Sequence, residues 1–503
     1  MDHPISSLRD RLRRILLRRT HALPLDLFRI TAGLLCVAYF THQWLIARDF
    51  AAPDGYLDHD LQARIYWFTR LSLFQPGVSF LFIQAALAAA WLASWGVLAG
   101  WRVRSCAAVA WVVAVSLFRW NLLVMEVNDF IIHLLLVWMM LLPVGKTLTW
   151  ESWRREGPGA WDRWLGVEVP GAALCCVLAN ACLVYLIAGP TKLASVYWRS
   201  GFALYATLRL DVSNTRDLWA PRHAPLLMLL TYGALVIEIA LPFLLLRPKG
   251  SRLKWLGGLC QAGLHIGIAT AFGLVYVNLA MLATSLLFFR EEIMDALGAA
   301  PATDSETRIP ASGKAGLVLV TLIALAVARG IPVFGALKAP AYIVLWAGGM
   351  FQDYRLFDWI DSKNVHVDYE AVSSAPGRPP RNFDGRRIFP STMQHLLLQA
   401  YLHDVRWAYV PCRHRPALKE SILVRSARVY CRARPEETES VSVTAVVNRI
   451  TPENAALDKG ARNFLMEFDC ARGESSLRRT FDYKMPAEDC ATGRGRSQLE
   501  GKF

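Results

Sequence analysis

Lys192 stands directly after an apolar run long enough to enter a bilayer, within V-Y-L-I-A-G-P-T-K-L-A-S-V-Y-W from Val184 to Trp198. An ammonium at that depth costs about 2.5–3.5 kcal/mol on insertion scales, so an ionisable residue there points to function. Gly189-Pro190 predicts a break in the helix, since proline lacks an N–H and its ring collides with the preceding turn. Broken backbone at membrane depth persists only where protein or a water-filled cavity satisfies the freed groups. In such a pocket a desolvated Lys192 would serve as a base. At the interface the same side chain would instead snorkel to headgroups, and the spacing leaves both readings open.

Further polar groups fall where hydrocarbon would reject them. Arg29 lies early in the first apolar run, and Glu126, Asn128, Asp129 and His133 precede or enter the fourth. Asp129 and His133 are four apart and share a helix face, so they are expected to interact. Glu238, His265 and Asn278 fall in the sixth, seventh and eighth runs. Taken singly, each has a structural explanation as a paired charge, a helix-end anchor or an interhelical hydrogen bond. Together with Lys192 they supply acid, base and imidazole for a proton-handling pocket. No P-loop, G-x-G-x-x-G after a strand, G-x-S-x-G or H-E-x-x-H competes, so nucleotide and familiar hydrolase chemistry are not indicated. Neither a zinc ribbon nor another metal site is indicated.

The elements that must position these groups are read from composition. The 503 residues are 54% hydrophobic and 19% charged, with 18 Trp, which describes a polytopic membrane protein with some soluble mass. The net charge of +14 is not a nucleic-acid footprint, because the arginines cluster between apolar runs and at the N-terminus. Residues 1–24 read as a cytoplasmic segment with a basic amphipathic helix over 5–19, lying on an anionic leaflet. A cleaved signal peptide is the competing reading, opposed by an apolar run that continues to Ile46 without a small-residue cleavage site.

Apolar runs at about 25–46, 77–99, 103–119, 127–144, 170–189, 225–246, 254–273, 274–289 and 315–335 predict about nine transmembrane helices. The stretch 339–351 is too short to span and reads as interfacial or re-entrant. Basic loops after the second, fourth and sixth runs put the N-terminus in the cytoplasm of a cell inner membrane and the C-terminus outside. If 254–289 were one span turning nowhere near Gly273, the tail would be cytoplasmic. The domain reading is 25–290 as a transmembrane domain, 291–314 as a cytoplasmic linker, 315–357 as a further span with an interfacial segment, and 358–503 as an extracytoplasmic α+β domain. In that domain helices are expected from Ser391 and across 418–433. The alternating V-S-V-T-A-V-V and F-L-M-E-F-D predict strands. Residues 50–76 and 190–223 read as partly helical segments lying at the membrane surface.

Cys412, Cys431, Cys470 and Cys490 are the cysteines of the tail, an even number in a domain expected to face an oxidising compartment. Of three connectivities, the favoured one pairs Cys412 with Cys431 and Cys470 with Cys490.

The chain resembles the horizontally transferred transmembrane domain family, typified by vitamin K-dependent gamma-carboxylase. The matching pieces run in order: L-D-L-F-R-I-T-A-G-L-L at 25–35, W-R-V-R-S-C at 101–106, V-N-D-F-I-I-H-L-L-L at 127–136, V-Y-L-I-A-G-P-T-K-L at 184–193 and the stretch from His265. A-G-x-x-K-L with a following Trp is the most specific of them. The resemblance implies that Lys192 is the base that deprotonates a reduced quinone. Two departures separate this chain from carboxylation itself: Asp129 stands where the carboxylase has a histidine, and the tail is far shorter than the carboxylase's lumenal domain.

The expected fold is thus an all-α polytopic membrane bundle with a small C-terminal α+β extramembrane domain. The expected function is a quinone-linked membrane enzyme. Lys192 would be its base, His265 or the Asp129/His133 pair its proton relay, and Glu238 the group that sets local charge. Arg29, Trp198 and Asn278 are the candidates to hold the quinone. The alternative is a non-catalytic maturation or export partner in which the tail binds a secreted peptide. A transporter is a third class, unsupported by any internal repeat.

Overall fold

The computed structural model describes residues 15–210, 213–215, 218–219, 221–303, 308–327, 335–350, 354, 363–372, 381–384, 414–433, 439–449 and 461–476. The bundle is built from α1 (Ala22–Leu45), α2 (Phe80–Ala99), α3 (Val103–Trp120), α4 (Val127–Leu141), α5 (Ala172–Lys192) and α6 (Ala224–Leu245), followed by α7 (Arg252–Phe272), α8 (Val275–Phe288), α9 (Ala311–Val327) and α10 (Gly335–Ala347). Helices α1, α2, α3, α5 and α6 are long and apolar enough to cross a membrane. Helices α4, α8 and α9 have 15, 14 and 17 residues. At about 1.5 Å per residue they are shorter than a hydrocarbon core of about 30 Å. Helix α7 has the length, but Gln261, His265 and several glycines lower its hydropathy.

Exposure separates helices that face the surroundings from those that form the centre. Only 28% of the apolar window of α2 and 33% of that of α6 is buried by protein, against 72% for α5. Leu81, Leu92, Leu229, Val236 and Phe243 on α2 and α6 are exposed. Apolar surface of that extent is at ease in lipid and costly in water. Helices α1 to α4 pack in sequence. Helix α8 touches α1, α4, α5 and α7, and α9 closes the seam between α4 and α5. Helices α7 and α8 are separate, turned at Gly273 in the left-handed region (φ 63°) that glycine adopts without a Cβ clash.

At the basic rim, β1 (Arg19–His21) pairs antiparallel with β2 (Glu168–Pro170), tying the entry of α1 to that of α5. At the opposite rim α10 doubles back on α9. Its end is held by Arg119, which donates to the Ala347 carbonyl, and by His133, which donates to Gly349 O. The segment expected as interfacial is therefore a helix packed on the bundle.

The C-terminal unit is a five-stranded antiparallel sheet in the order β4 (Arg381–Asp384), β3 (Lys363–Val372), β5 (Ser440–Arg449), β6 (Ala461–Asp469) and β7 (Glu474–Ser476). The sequence reading missed β3 and β4. Alternation puts Tyr369, Ala371, Val441, Val443, Met466 and Phe468 on the buried face. Helix α11 (Arg415–Ala433) covers it with Leu418, Ile422, Ala427 and Tyr430. Cys431 is disulfide-bonded to Cys470. This corrects both favoured pairings, for a tertiary reason: the end of α11 lies on the end of β6, so partners are chosen by packing and not by nearness in sequence. Cys412 and Cys490, like the helix expected from Ser391, lie outside the described residues.

This unit shares an apolar cluster with the loop after α1, where Ile46, Phe50, Tyr56, Leu57 and Tyr66 meet the α11 and sheet residues. In that loop Asp58 caps the helix His59–Ile65 by accepting the Leu61 N–H. Asp58 also accepts from Ser421 at 3.0 Å, and Arg432 pairs with Asp54 at 2.7 Å. Segment 50–76 is thus a docking shelf for the C-terminal unit, although Trp67 remains exposed. His59 stacks on Trp120 at 3.9 Å and donates from Nδ1 to its carbonyl. Burial pushes its pKa down to about 3.

Candidate functional site

Helix α5 runs through Pro190 to Lys192 without the expected break. Proline this close to a C-terminus removes a single backbone bond, and Thr191 Oγ1 caps the turn by donating to Ile187 O and Ala188 O. Gly189 has a packing role instead. A Cβ there would lie 2.8 Å from Ile239 Cγ1 and 3.3 Å from Ile239 N. The missing side chain lets α6 approach and brings Glu238 to Lys192.

Lys192 Nζ and a Glu238 carboxylate oxygen form a buried ion pair. The ammonium also lies 5.1 Å from the ring centroid of Trp198, a cation–π distance. Trp198 is carried on the short helix Val196–Arg199 and buried with Ala203 and Ala206. Segment 190–223 therefore tucks into the bundle at this point, although a surface position was expected.

A second group lies alongside. His265 Nδ1 is 2.7 Å from Asn278 Oδ1, and Asn278 Nδ2 donates to Leu274 O. The Asn278 oxygen is thus the acceptor, Nδ1 carries the imidazole proton, and Nε2 accepts from the Tyr185 hydroxyl at 2.7 Å. Gln261 Nε2 donates to Tyr185 Oη at 3.1 Å and to Met281 O at 3.0 Å, while Ser285 donates to its Oε1. The charge of Lys192 acts on His265, and that of Glu238 on Tyr185. Tyr185 precedes Lys192 by seven residues and Gln261 precedes His265 by four, so both share faces with residues already singled out. The sequence reading named neither, because tyrosine and glutamine carry no charge to betray them in an apolar run.

The remaining candidates bond to other partners. Asp129 and His133 hold separate partners: Asp129 accepts from Tyr39 Oη at 2.6 Å and from the Glu126 N–H at 2.9 Å, while His133 binds Gly349 O. Asn128 Oδ1 accepts from the Val277 N–H, fastening α4 to α8. Arg29 is wholly buried at the basic rim, bonded to Asp26 at 2.8 Å and to the carbonyls of Val97, Leu98 and Leu148. The structure therefore gathers Lys192, Glu238 and Trp198 with His265 and Asn278, while Arg29, Asp129 and His133 bond to other partners and Asn128 reaches α8 at Val277, beside Asn278. Among the described residues no cluster of His, Cys, Asp and Glu could hold a metal ion.

No protein-family model matches the chain, and neither does any curated protein or solved structure.

Proposed function

We propose that this is a multi-pass membrane enzyme of the carboxylase-like kind, in which Lys192 is the base toward a lipid-soluble reduced quinone. Helices α1 to α9 would be its nine spans, with the N-terminus cytoplasmic and the C-terminal unit outside. The observation that carries the reading is the buried Lys192–Glu238 pair at the α5–α6 seam, in electrostatic reach of Tyr185 and His265. The pair is net neutral whether the proton rests on nitrogen or on the carboxylate. Shifting it to Glu238 frees an amine without leaving an uncompensated charge, which buried sites do not tolerate. That amine would take a hydroxyl proton from the quinol. Trp198, with Tyr197, Phe202 and Tyr205 in ring contact beyond it, supplies an aromatic wall suited to a planar ring. Tyr185 and His265 already share a directed hydrogen bond and would take up or return protons nearby.

Oxygen uptake by nanodisc-embedded protein given reduced naphthoquinone tests this. Wild type is expected to consume oxygen above empty nanodiscs, and both Lys192→Ala and Lys192→Arg to lose that uptake, because arginine keeps its proton at any working pH. Full activity in Lys192→Arg would leave only a structural cation. No uptake in wild type would turn attention to a peptide held by the C-terminal unit.

A further inference from the structure

The basic rim carries a surface that the Lys192 chemistry does not use. Buried Arg29 donates to Val97 O and Leu98 O on one side and to Leu148 O on the other. Its partner Asp26 accepts the N–H groups of Gly145, Lys146 and Thr147. This clamp lays the α2–α3 turn on the chain leading into the helix Trp150–Glu156. The fit is close: a Cβ on Gly100 would sit 2.8 Å from Thr149 Cγ2. Arg102 and Leu148, one in each strand of the contact, have φ of 40° and 46°, in the left-handed region that side chains avoid. A rigid, strained platform results.

What the platform displays is aromatic and cationic. Trp101, Trp150 and Trp153 are 59%, 65% and 52% exposed. The Arg102 guanidinium lies 5.5 Å from the Trp101 ring centroid, and Arg154 is exposed. Arg155 is engaged by Glu151. Over 101–104 and 146–156 the sequence places Arg102, Arg104, Lys146, Arg154 and Arg155 against Glu151 and Glu156. Three exposed indoles are costly in water but suit the headgroup layer, where an amphipathic ring meets both phases. Guanidinium groups beside them complement phosphate, and they do so with more hydrogen bonds than an ammonium offers.

We infer that this platform is a docking surface for anionic phospholipid headgroups, with Arg102 and Arg154 facing the phosphate and the three indoles seated at the glycerol level. The inference needs the bundle to lie in a membrane and is independent of what Lys192 does.

The test uses the full chain in neutral detergent, with phosphatidylglycerol or phosphatidylcholine added and thermal unfolding followed. Phosphatidylglycerol is expected to raise the wild-type midpoint by several degrees and phosphatidylcholine to leave it unchanged. In the double variant Arg102→Asn/Arg154→Gln the phosphatidylglycerol shift is expected to vanish; asparagine tolerates the left-handed backbone at 102, so the turn is kept. Equal shifts by the two lipids in wild type, or a full shift in the double variant, would overturn the inference. A photoactivatable phosphatidylglycerol on wild-type protein gives a readout that needs no variant. Adducts on 101–104 and 150–155 are expected, and adducts confined to other segments would refute the surface.

Discussion

Lys192 and Lys254 each lie buried against a glutamate with an aromatic ring 5.1 Å away, Trp198 for the first and Phe289 for the second. In the second pair Glu292 closes both oxygens on the ammonium, at 2.7 and 2.9 Å. Lys254 stands in the first turn of α7 at the basic rim, near the Lys249–Asp295 pair. In the first pair a single carboxylate oxygen meets Lys192, which is the last residue of α5, where helix carbonyls favour a cation. This pair has the His265 imidazole and the Tyr185 phenol in electrostatic reach. Burial and pairing therefore recur where chemistry is not proposed, so the proposal for Lys192 rests on its neighbours and not on its burial.

The sharpest way to break the comparison is to remove each carboxylate. Glu238→Ala is expected to cost about 3–5 kcal/mol, because it strands an ammonium inside the bundle. Glu292→Ala is expected to cost no more than about 2 kcal/mol, because Lys254 is close enough to a helix end for its stem to carry the charge outward. Thermal unfolding of both variants in one detergent compares them, and equal losses would mean that the two sites are alike.

Gly189→Leu tests how the Lys192 pair is made. The side chain would meet Ile239 at backbone distance, and overpacking of this kind costs about 1–3 kcal/mol while driving α5 from α6. Oxygen uptake is expected to fall with stability in this variant, whereas a matching substitution at exposed Gly263 should change neither. Retained uptake would show that the seam does not need its close approach.

Acid should act away from both pairs, on the shelf beneath the C-terminal unit. Buried His59 has its pKa pushed from 6.5 to about 3, so the unfolded state binds the extra proton. Its stabilising contribution is complete above about pH 6.5 and is lost as pH falls toward the folded value, with a loss on the order of 1 kcal/mol at about pH 5.5. The unfolding midpoint of wild type should therefore drop on acidification, and that of His59→Gln should drop less. Identical profiles would assign the acid sensitivity elsewhere.

Much of the helical frame was legible because apolar runs bounded by Gly, Pro and basic residues are a local signal. The turn at Gly273 and the strands at 441–447 and 464–469 were visible for the same reason. Strand β3 was missed although Val365, Val367, Tyr369 and Ala371 alternate as in a half-buried strand; its whole length pairs with β5. The Gly189-Pro190 reading failed on a related ground. Sequence alone weighs a proline by its own geometry and cannot see that the glycine beside it answers to a neighbouring helix.

By itself the sequence determined which segments are apolar enough to be helices of a membrane bundle and which ionisable residues lie inside them, because hydropathy and charge are properties of single residues. Only the tertiary structure decided that Lys192 meets Glu238, that His265 meets Tyr185, that Asp129 and His133 part company, and that Cys431 bonds Cys470. Those are contacts between segments far apart in the chain. Their partners are chosen by which faces pack, and the close approach at Gly189 shows that a single missing side chain can set that choice.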